Sequence, residues 1–183
     1  MKKIAILTSG GDSPGMNSSI RSVVRYGTHK KIEVVGVSHG YQGLIDKHFQ
    51  FLDRRSVSNI ITDGGTFLKT ARSPEFLDKE GRTKAFRNLQ SEKIDAYIVI
   101  GGDGSFRGGI EFHDEFDFPV MGIPATIDND ISGTQRTLGF DTAMNTAMEA
   151  VDKIRDTAYS MDRIFIIEVM GRLSGSIAVH TAL

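Results

Sequence analysis

Three short apolar runs, each passing into a glycine-bearing turn and then a helical pattern, constrain this chain more than any other feature. They are residues 3–8, 32–37 and 94–100, followed by helical spacings over 16–29, 40–45 and 105–115. Met16, Ile20, Val23 and Val24 supply the buried stripe of the first helix. Residues 80–92 read as an amphipathic helix, 119–123 as a fourth strand and 55–61 as a helical turn. Residues 142–158 read as a long helix with Ala143, Ala147, Ala150, Val151 and Ile154 on its buried side. Residues 163–170 read as a further strand, and a helix begins after Leu173. This alternation predicts an α/β fold: a doubly wound, mostly parallel sheet with helices on both faces. Ligands of such sheets bind outside the carboxyl ends of the strands. Three glycine loops are expected there, at 9–15, 101–105 and 171–175. A polar stretch at 132–140 marks a domain boundary.

Bulk properties narrow the function classes. A chain of 183 residues with 39% apolar and 25% charged residues has the composition of a soluble globular protein. Its net charge of −1 leaves no global field to recruit nucleic acid or an anionic membrane. No stretch approaches the ~18 apolar residues of a membrane span. The apolar start at Ile4, Ala5, Ile6 and Leu7 is cut by Asp12 and Pro14, which reads as a strand and not a signal peptide. There is no cysteine, which excludes disulfides, thiolate zinc sites and a cysteine nucleophile, and fits a cytoplasmic protein. The five histidines show no metal-ligand spacing.

Chemistry concentrates in two loops. In Gly101, Gly102, Asp103, Gly104 and Ser105, backbone N–H groups can converge on a phosphate at a helix start, and Asp103 can hold Mg²⁺. An ordinary strand-to-helix turn with Asp103 as its N-cap is the competing reading. Gly10, Gly11, Asp12, Ser13, Pro14 and Gly15 carry the same signal. Asp128, Asn129 and Asp130 follow a buried strand, where two carboxylates are costly unless solvated, paired or metal-bound. One can act as base toward an alcohol while the other organises a cation; an exposed turn is the alternative. Arg72, Arg163 and Arg172 suit phosphate oxygens, Arg21 and Arg25 lie four apart on one helix, and Tyr41 and Phe76 could flank an adenine. Each of these taken singly also fits ordinary surface or core packing.

Five segments together resemble the bacterial-type ATP-dependent 6-phosphofructokinases: residues 7–17, residues 64–68 with Ala71 and Arg72, residues 100–105, residues 126–130 and residues 168–172. The resemblance implies transfer of the ATP γ-phosphoryl group to the 1-hydroxyl of fructose 6-phosphate, with Mg²⁺. By the same resemblance Gly11, Arg72, Ser73, Gly102, Asp103, Gly104 and Ser105 would serve ATP, with Asp103 on Mg²⁺, and Tyr41 joins this cofactor site from its aromatic character. Asp128 would be the base, with Thr126 and Arg172 as catalytic partners. Ile127, Asp130, Arg163, Met170 and Gly171 would complete the sugar-phosphate site, Arg163 reaching across a subunit interface. Arg21, Arg25, Arg54 and Arg155 resemble an effector site that answers to ADP or phosphoenolpyruvate. A homotetramer is implied, with residues 1–138 as ATP-binding domain and 139–183 as the beginning of the sugar-phosphate domain. The family also draws later residues into both domains, so the chain is expected to be an amino-terminal fragment, inactive by itself.

Two positions depart from the family pattern. Ala125 stands where the family has glycine and pyrophosphate-using relatives have lysine, and those relatives carry aspartate at the position of Gly104. The small Gly104 favours ATP. Asn59 replaces a common aspartate, which bears on effector choice. Pyrophosphate-dependent phosphofructokinases, NAD or lipid kinases and a non-catalytic nucleotide-sensing module are the rival readings.

Overall fold

The computed structural model describes residues 2–182. Its strands are β1 (Lys3–Ser9), β2 (Glu33–Val37), β3 (Phe49–Leu52), β4 (Ala96–Gly101) and β5 (Val120–Pro124). They form one sheet in the order β3-β2-β1-β4-β5. All neighbours run parallel except β3, which is antiparallel to β2. The helices are α1 (Met16–His29), α2 (Gly40–Ile45), α3 (Lys79–Ser91), α4 (Asp103–Phe116), α5 (Phe140–Ser160) and α6 (Ser176–Ala182). Short 3₁₀ turns lie at Ile60–Thr62 and Glu75–Leu77. Leu183 falls outside the described residues.

The central strand β1 shows how the sheet takes two coverings. Side chains alternate across a strand. Ile4 and Ile6 join the core with Met16, Ile20 and Val24 of α1. Ala5 and Leu7 join the opposite core, with Leu44 of α2, Leu89 of α3 and Phe112 of α4. A strand buried on both faces must be largely apolar, and Ile4, Ala5, Ile6 and Leu7 are, while the buried Thr8 hydroxyl donates to the Lys69 carbonyl at 2.8 Å. Arg82 of α3 is buried although charged. Its Nε and Nη2 each donate to the Glu115 carboxylate at 2.8 Å, and Nη1 donates to the carbonyls of Phe76 and Leu77 at 2.9 and 2.6 Å. With every buried donor satisfied, the guanidinium ties α3 to α4.

The chain departs from the sequence expectation in three places. Residues 163–170 form no strand. Ile164 and Ile166 are 97% and 98% exposed, and no neighbouring strand borders the run among the described residues. β-propensity alone does not make a strand without a hydrogen-bonding neighbour. Loop 171–175 is therefore not at a strand end. The second departure is α5, whose expected buried stripe is only partly covered: Phe140 is buried, Ala143, Ala147, Val151 and Ile154 are half-buried, and Ala150 is exposed. Third, β3 was not expected; its short alternating sequence is a two-sided edge strand with weak patterning. Among the described residues no helix is long and apolar enough to cross a membrane.

Candidate active site

β1 and β4 lie side by side, yet α1 leaves toward one face of the sheet and α4 toward the other. The chain after each strand parts there and opens a crevice, as it does wherever strand order reverses in such sheets. Ser9 pairs with Gly101 and Gly101 with Pro124, so the loops after β1, β4 and β5 begin level with one another. Gly101 permits this approach. A Cβ there would lie 2.5 Å from the Ser9 carbonyl oxygen and 2.6 Å from Ser105 Oγ. Two of the three expected glycine loops, and the Asp128 loop, thus share one edge of the sheet.

Gly102, not Asp103, is the N-cap of α4, and Asp103 opens its first turn. The first-turn N–H groups of a helix lack intrahelical partners and favour an anion. A side chain at Gly104 or Gly11 would meet nothing within 4 Å, so space for phosphate-sized groups borders both positions. The exposed Asp103 carboxylate pairs with Arg107 of the next turn at 2.9 Å. Ser105 is buried, and its carbonyl oxygen accepts a 2.6 Å hydrogen bond from the Tyr41 hydroxyl. Tyr41 is itself buried, with its ring stacked on Phe76 at 4.0 Å between centroids. The two rings therefore leave no slot between them for an adenine, and Tyr41 reaches the Gly101–Ser105 loop through its hydroxyl. Burial pushes the Tyr41 hydroxyl well above the usual phenol range, so it stays protonated and donates. Ser73 donates to Gln42 Oε1 at 2.7 Å, while Arg72 is exposed.

The Asp128 loop meets the Gly101–Ser105 loop at Thr126: a Cβ on Gly102 would stand 3.7 Å from Thr126 Cβ. Thr126 Oγ1 accepts from the Asp128 N–H at 3.2 Å. Asp128 is only 8% exposed. Its carboxyl is held above the usual carboxylate range, first by burial and then by the negative charge of Asp130, with Arg172 pulling the other way. The Asp128 carbonyl accepts from Ser174 Oγ at 2.6 Å, which brings residues 171–175 to the crevice although no strand precedes them. Ile127 is half-buried and Asp130 exposed. Asp128 is thus a buried carboxyl with one cation and one anion close by, the setting of a tuned proton acceptor.

The remaining expected residues are dispersed. Met170 is 73% exposed and Gly171 buried, while Arg163 is exposed among the unpaired apolar run. Arg21 Nη1 donates to the Val57 carbonyl at 2.6 Å, and Arg25 and Arg54 are exposed. Arg155 lies on α5 beside Asp156, Tyr159 and Ser160, whereas Arg21 and Arg25 are on α1 and Arg54 follows β3. The Ala125 side chain is 1% exposed and belongs to the core beneath the loops. Its methyl therefore does not occupy the crevice, and Gly104 alone of the two departures borders open space. Thr137 and Ser174 carry hydrogen bonds to the Asp128 loop, and the sequence reading passed over both. Thr137 is a buried polar residue within a polar loop, and no periodicity marks it.

A phosphofructokinase family model matches residues 3–183. ATP-dependent 6-phosphofructokinases of Cytophaga hutchinsonii and Thermus thermophilus are each 54% identical over all of this chain, which covers 56% and 57% of them. The chain thus spans little more than half the length of these curated relatives. Phosphofructokinase from Saccharomyces cerevisiae superposes with a TM-score of 0.94 at 41% identity, over 98% of this chain and 27% of that one. A pyrophosphate-dependent phosphofructokinase from Marinobacter aquaeolei shares the fold, with a TM-score of 0.82 at 21% identity over 99% and 49% of the two chains. A crevice at the β1–β4 reversal, the buried Asp128 beside a glycine loop and a family match over nearly every residue lead to one conclusion: this chain belongs to the phosphofructokinase family.

Proposed function

We propose that the full-length protein phosphorylates the 1-hydroxyl of fructose 6-phosphate with ATP, giving fructose 1,6-bisphosphate and ADP in glycolysis. The observation that carries the reading is Asp128, buried at the mouth of the α4 phosphate loop with its pKa raised. In this role Asp128 accepts the proton of the attacking hydroxyl, and Thr126 holds the Asp128 backbone. Arg172, close enough to affect Asp128, neutralises charge on the transferring group. The N-terminus of α4, with Gly102, Gly104 and Ser105, cradles the nucleotide phosphates, and Gly11, Arg72 and Ser73 close the site around them. Tyr41 steadies Ser105 from below. Ile127, Asp130, Met170 and Gly171 border the sugar, with Arg163 serving the sugar phosphate of a neighbouring subunit.

Mg²⁺ fits the residues present. It is commonly bound by one or two carboxylates plus substrate phosphates, and Asp103 offers one exposed carboxylate at the phosphate loop. When bound, the ion screens phosphate charge and orients the phosphoryl group. The reading extends to residues 1–138 as an ATP-binding domain, 139–183 as the start of a sugar-phosphate domain, a homotetramer, a cytoplasmic location, and an ADP or phosphoenolpyruvate site at Arg21, Arg25, Arg54 and Arg155. The ATP preference rests on Gly104, whose open surroundings leave room for a nucleotide chain, and on relatives named as ATP-dependent. The test assays the full-length protein with ATP and with pyrophosphate side by side. Fructose 6-phosphate-dependent ADP release that EDTA abolishes and excess Mg²⁺ restores is expected. Turnover with pyrophosphate alone would overturn the donor assignment. The 183-residue chain alone is expected to release no ADP.

The raised Asp128 pKa adds a pH signature. A base works only when ionised, so kcat/KM should fall as pH drops through the Asp128 pKa. That acid limb is expected above the ordinary carboxylate range because burial and Asp130 both disfavour the charge. Asp130→Asn should move the limb to lower pH and Arg172→Leu to higher pH. A limb that stays in place in both variants would separate it from Asp128.

A further inference from the structure

We propose that Thr137 is the positioning residue that holds the Asp128 loop against the phosphate loop. The inference rests on Asp128 acting as the base. Asn129 sits in the left-handed region at φ 50°, a conformation that a non-glycine residue adopts at some cost unless its surroundings fix it. Thr137 fixes it from two sides. Its hydroxyl donates to the Thr126 carbonyl at 2.6 Å, and its N–H donates to Asn129 Oδ1 at 3.0 Å. The two acceptors flank Ile127 and Asp128, so one residue spans the segment that carries the base. The next residue continues the strap. Leu138 N–H donates to the Pro124 carbonyl at 3.0 Å, and Leu138 forms a parallel bridge with Ala125. Ser13, in the loop after β1, donates its hydroxyl to the Leu138 carbonyl. Residues 137–138 therefore bind the Asp128 loop on one side and the first glycine loop on the other. Thr137 is 4% exposed, so water does not readily replace its hydroxyl.

Thr137 touches no reacting atom in this arrangement; it acts by fixing where the Asp128 carboxyl stands. A displacement of about 1 Å at a reacting group can cost on the order of 100-fold in rate. The experiment uses the full-length protein with Thr137→Val, Thr137→Ser and Thr137→Ala, each alone and combined with Asp128→Asn. In Thr137→Val, kcat is expected to fall roughly 10- to 100-fold while the KM values for ATP and fructose 6-phosphate change little. Thr137→Ser keeps the hydroxyl and should restore most of the loss. In the Asp128→Asn background Thr137→Val should add no further loss, because the group it positions is gone. A folded Thr137→Val protein with wild-type kcat overturns the proposal, and so does a loss that adds fully to that of Asp128→Asn. If Thr137→Val fails to fold, the Ser and Ala variants carry the test, and equal kcat in the two overturns it. Should Asp128→Asn itself retain wild-type turnover, the base assignment has failed instead.

Discussion

Replacing Asp128 by Asn in the full-length protein is expected to lower kcat by roughly 10²- to 10⁴-fold, the range a positioned general base supplies. The change keeps the size of the side chain and removes only its ability to take a proton. ATP affinity should stay nearly unchanged, because the loop proposed to hold the nucleotide depends on the backbone around Gly102 and the Tyr41–Ser105 bond. The same variant should be more stable at neutral pH. Asp128 ionises later in the folded protein than in the unfolded chain, because burial and Asp130 disfavour its charge. The native state is then favoured while the group is protonated in both states, and loses that advantage as pH rises through the folded pKa. Asn carries no such cost. Thermal unfolding at neutral pH and at pH 3 checks this: the Asn variant should melt higher at neutral pH, with the gap closing in acid. Unchanged turnover would remove Asp128 as the base, and lower stability at neutral pH would contradict its environment. A gain in stability with a loss of rate is what a site held for function at some cost to folding should show.

What could be read in the sequence and what could not follow one physical division. β1, β2 and β4 were legible because strands buried on both faces are largely apolar, the edge strand β5 because its apolar run Val120, Met121 and Ile123 is bounded by prolines although none of its residues is fully buried, and α1 because Met16, Ile20 and Val24 repeat at helical spacing. The paired loops were legible because parallel neighbours bring their carboxyl ends to the same edge. Residues 163–170 misled for the same reason that β4 did not: both are apolar, but only β4 has neighbours to pair with. Local composition reports a tendency and cannot report the neighbour. Within the site, the carboxylates and glycines were visible as types, whereas the bonds that hold them were not. Thr137 and Ser174 reach Thr126 and Asp128 across 11 and 46 residues, and such separations leave no periodic trace. Tyr41 shows the converse. Its aromatic character suggested base stacking, but the neighbouring Phe76 takes the ring face and leaves the hydroxyl as the working end.

The largest expected effect on stability comes from a glycine outside the crevice. Gly43 lies on α2, packed so tightly on the end of β2 that a Cβ would stand 1.8 Å from the Ser38 carbonyl oxygen. The obstacle is backbone, so no side chain can turn aside to make room. The backbone is held in place as well. Ser38 N–H donates to the His48 carbonyl, His48 N–H to the Gly43 carbonyl, and Gly43 N–H to the His39 carbonyl. Gly43→Ala must therefore move α2 away from the sheet. Ala is ordinarily the better helix former, so propensity alone predicts a gain of up to about 1 kcal/mol. Overpacking against a fixed carbonyl opposes it at about 3 kcal/mol and should win. The net loss, about 2 kcal/mol, corresponds to a fall in Tm of roughly 4–8 °C for a domain of this size. The displacement should also reach the site. Tyr41 lies two residues before Gly43 on the same helix, and its hydroxyl holds the Ser105 carbonyl. ATP binding should therefore weaken in Gly43→Ala even at temperatures where the protein stays folded. Tyr41→Phe, which removes only the hydroxyl, should reproduce the weaker ATP binding with a smaller loss of stability. Calorimetric unfolding and nucleotide titration on the two variants separate these contributions. A Gly43→Ala protein with undiminished Tm would show that α2 can shift freely, and normal ATP affinity in both variants would disconnect α2 from the phosphate loop.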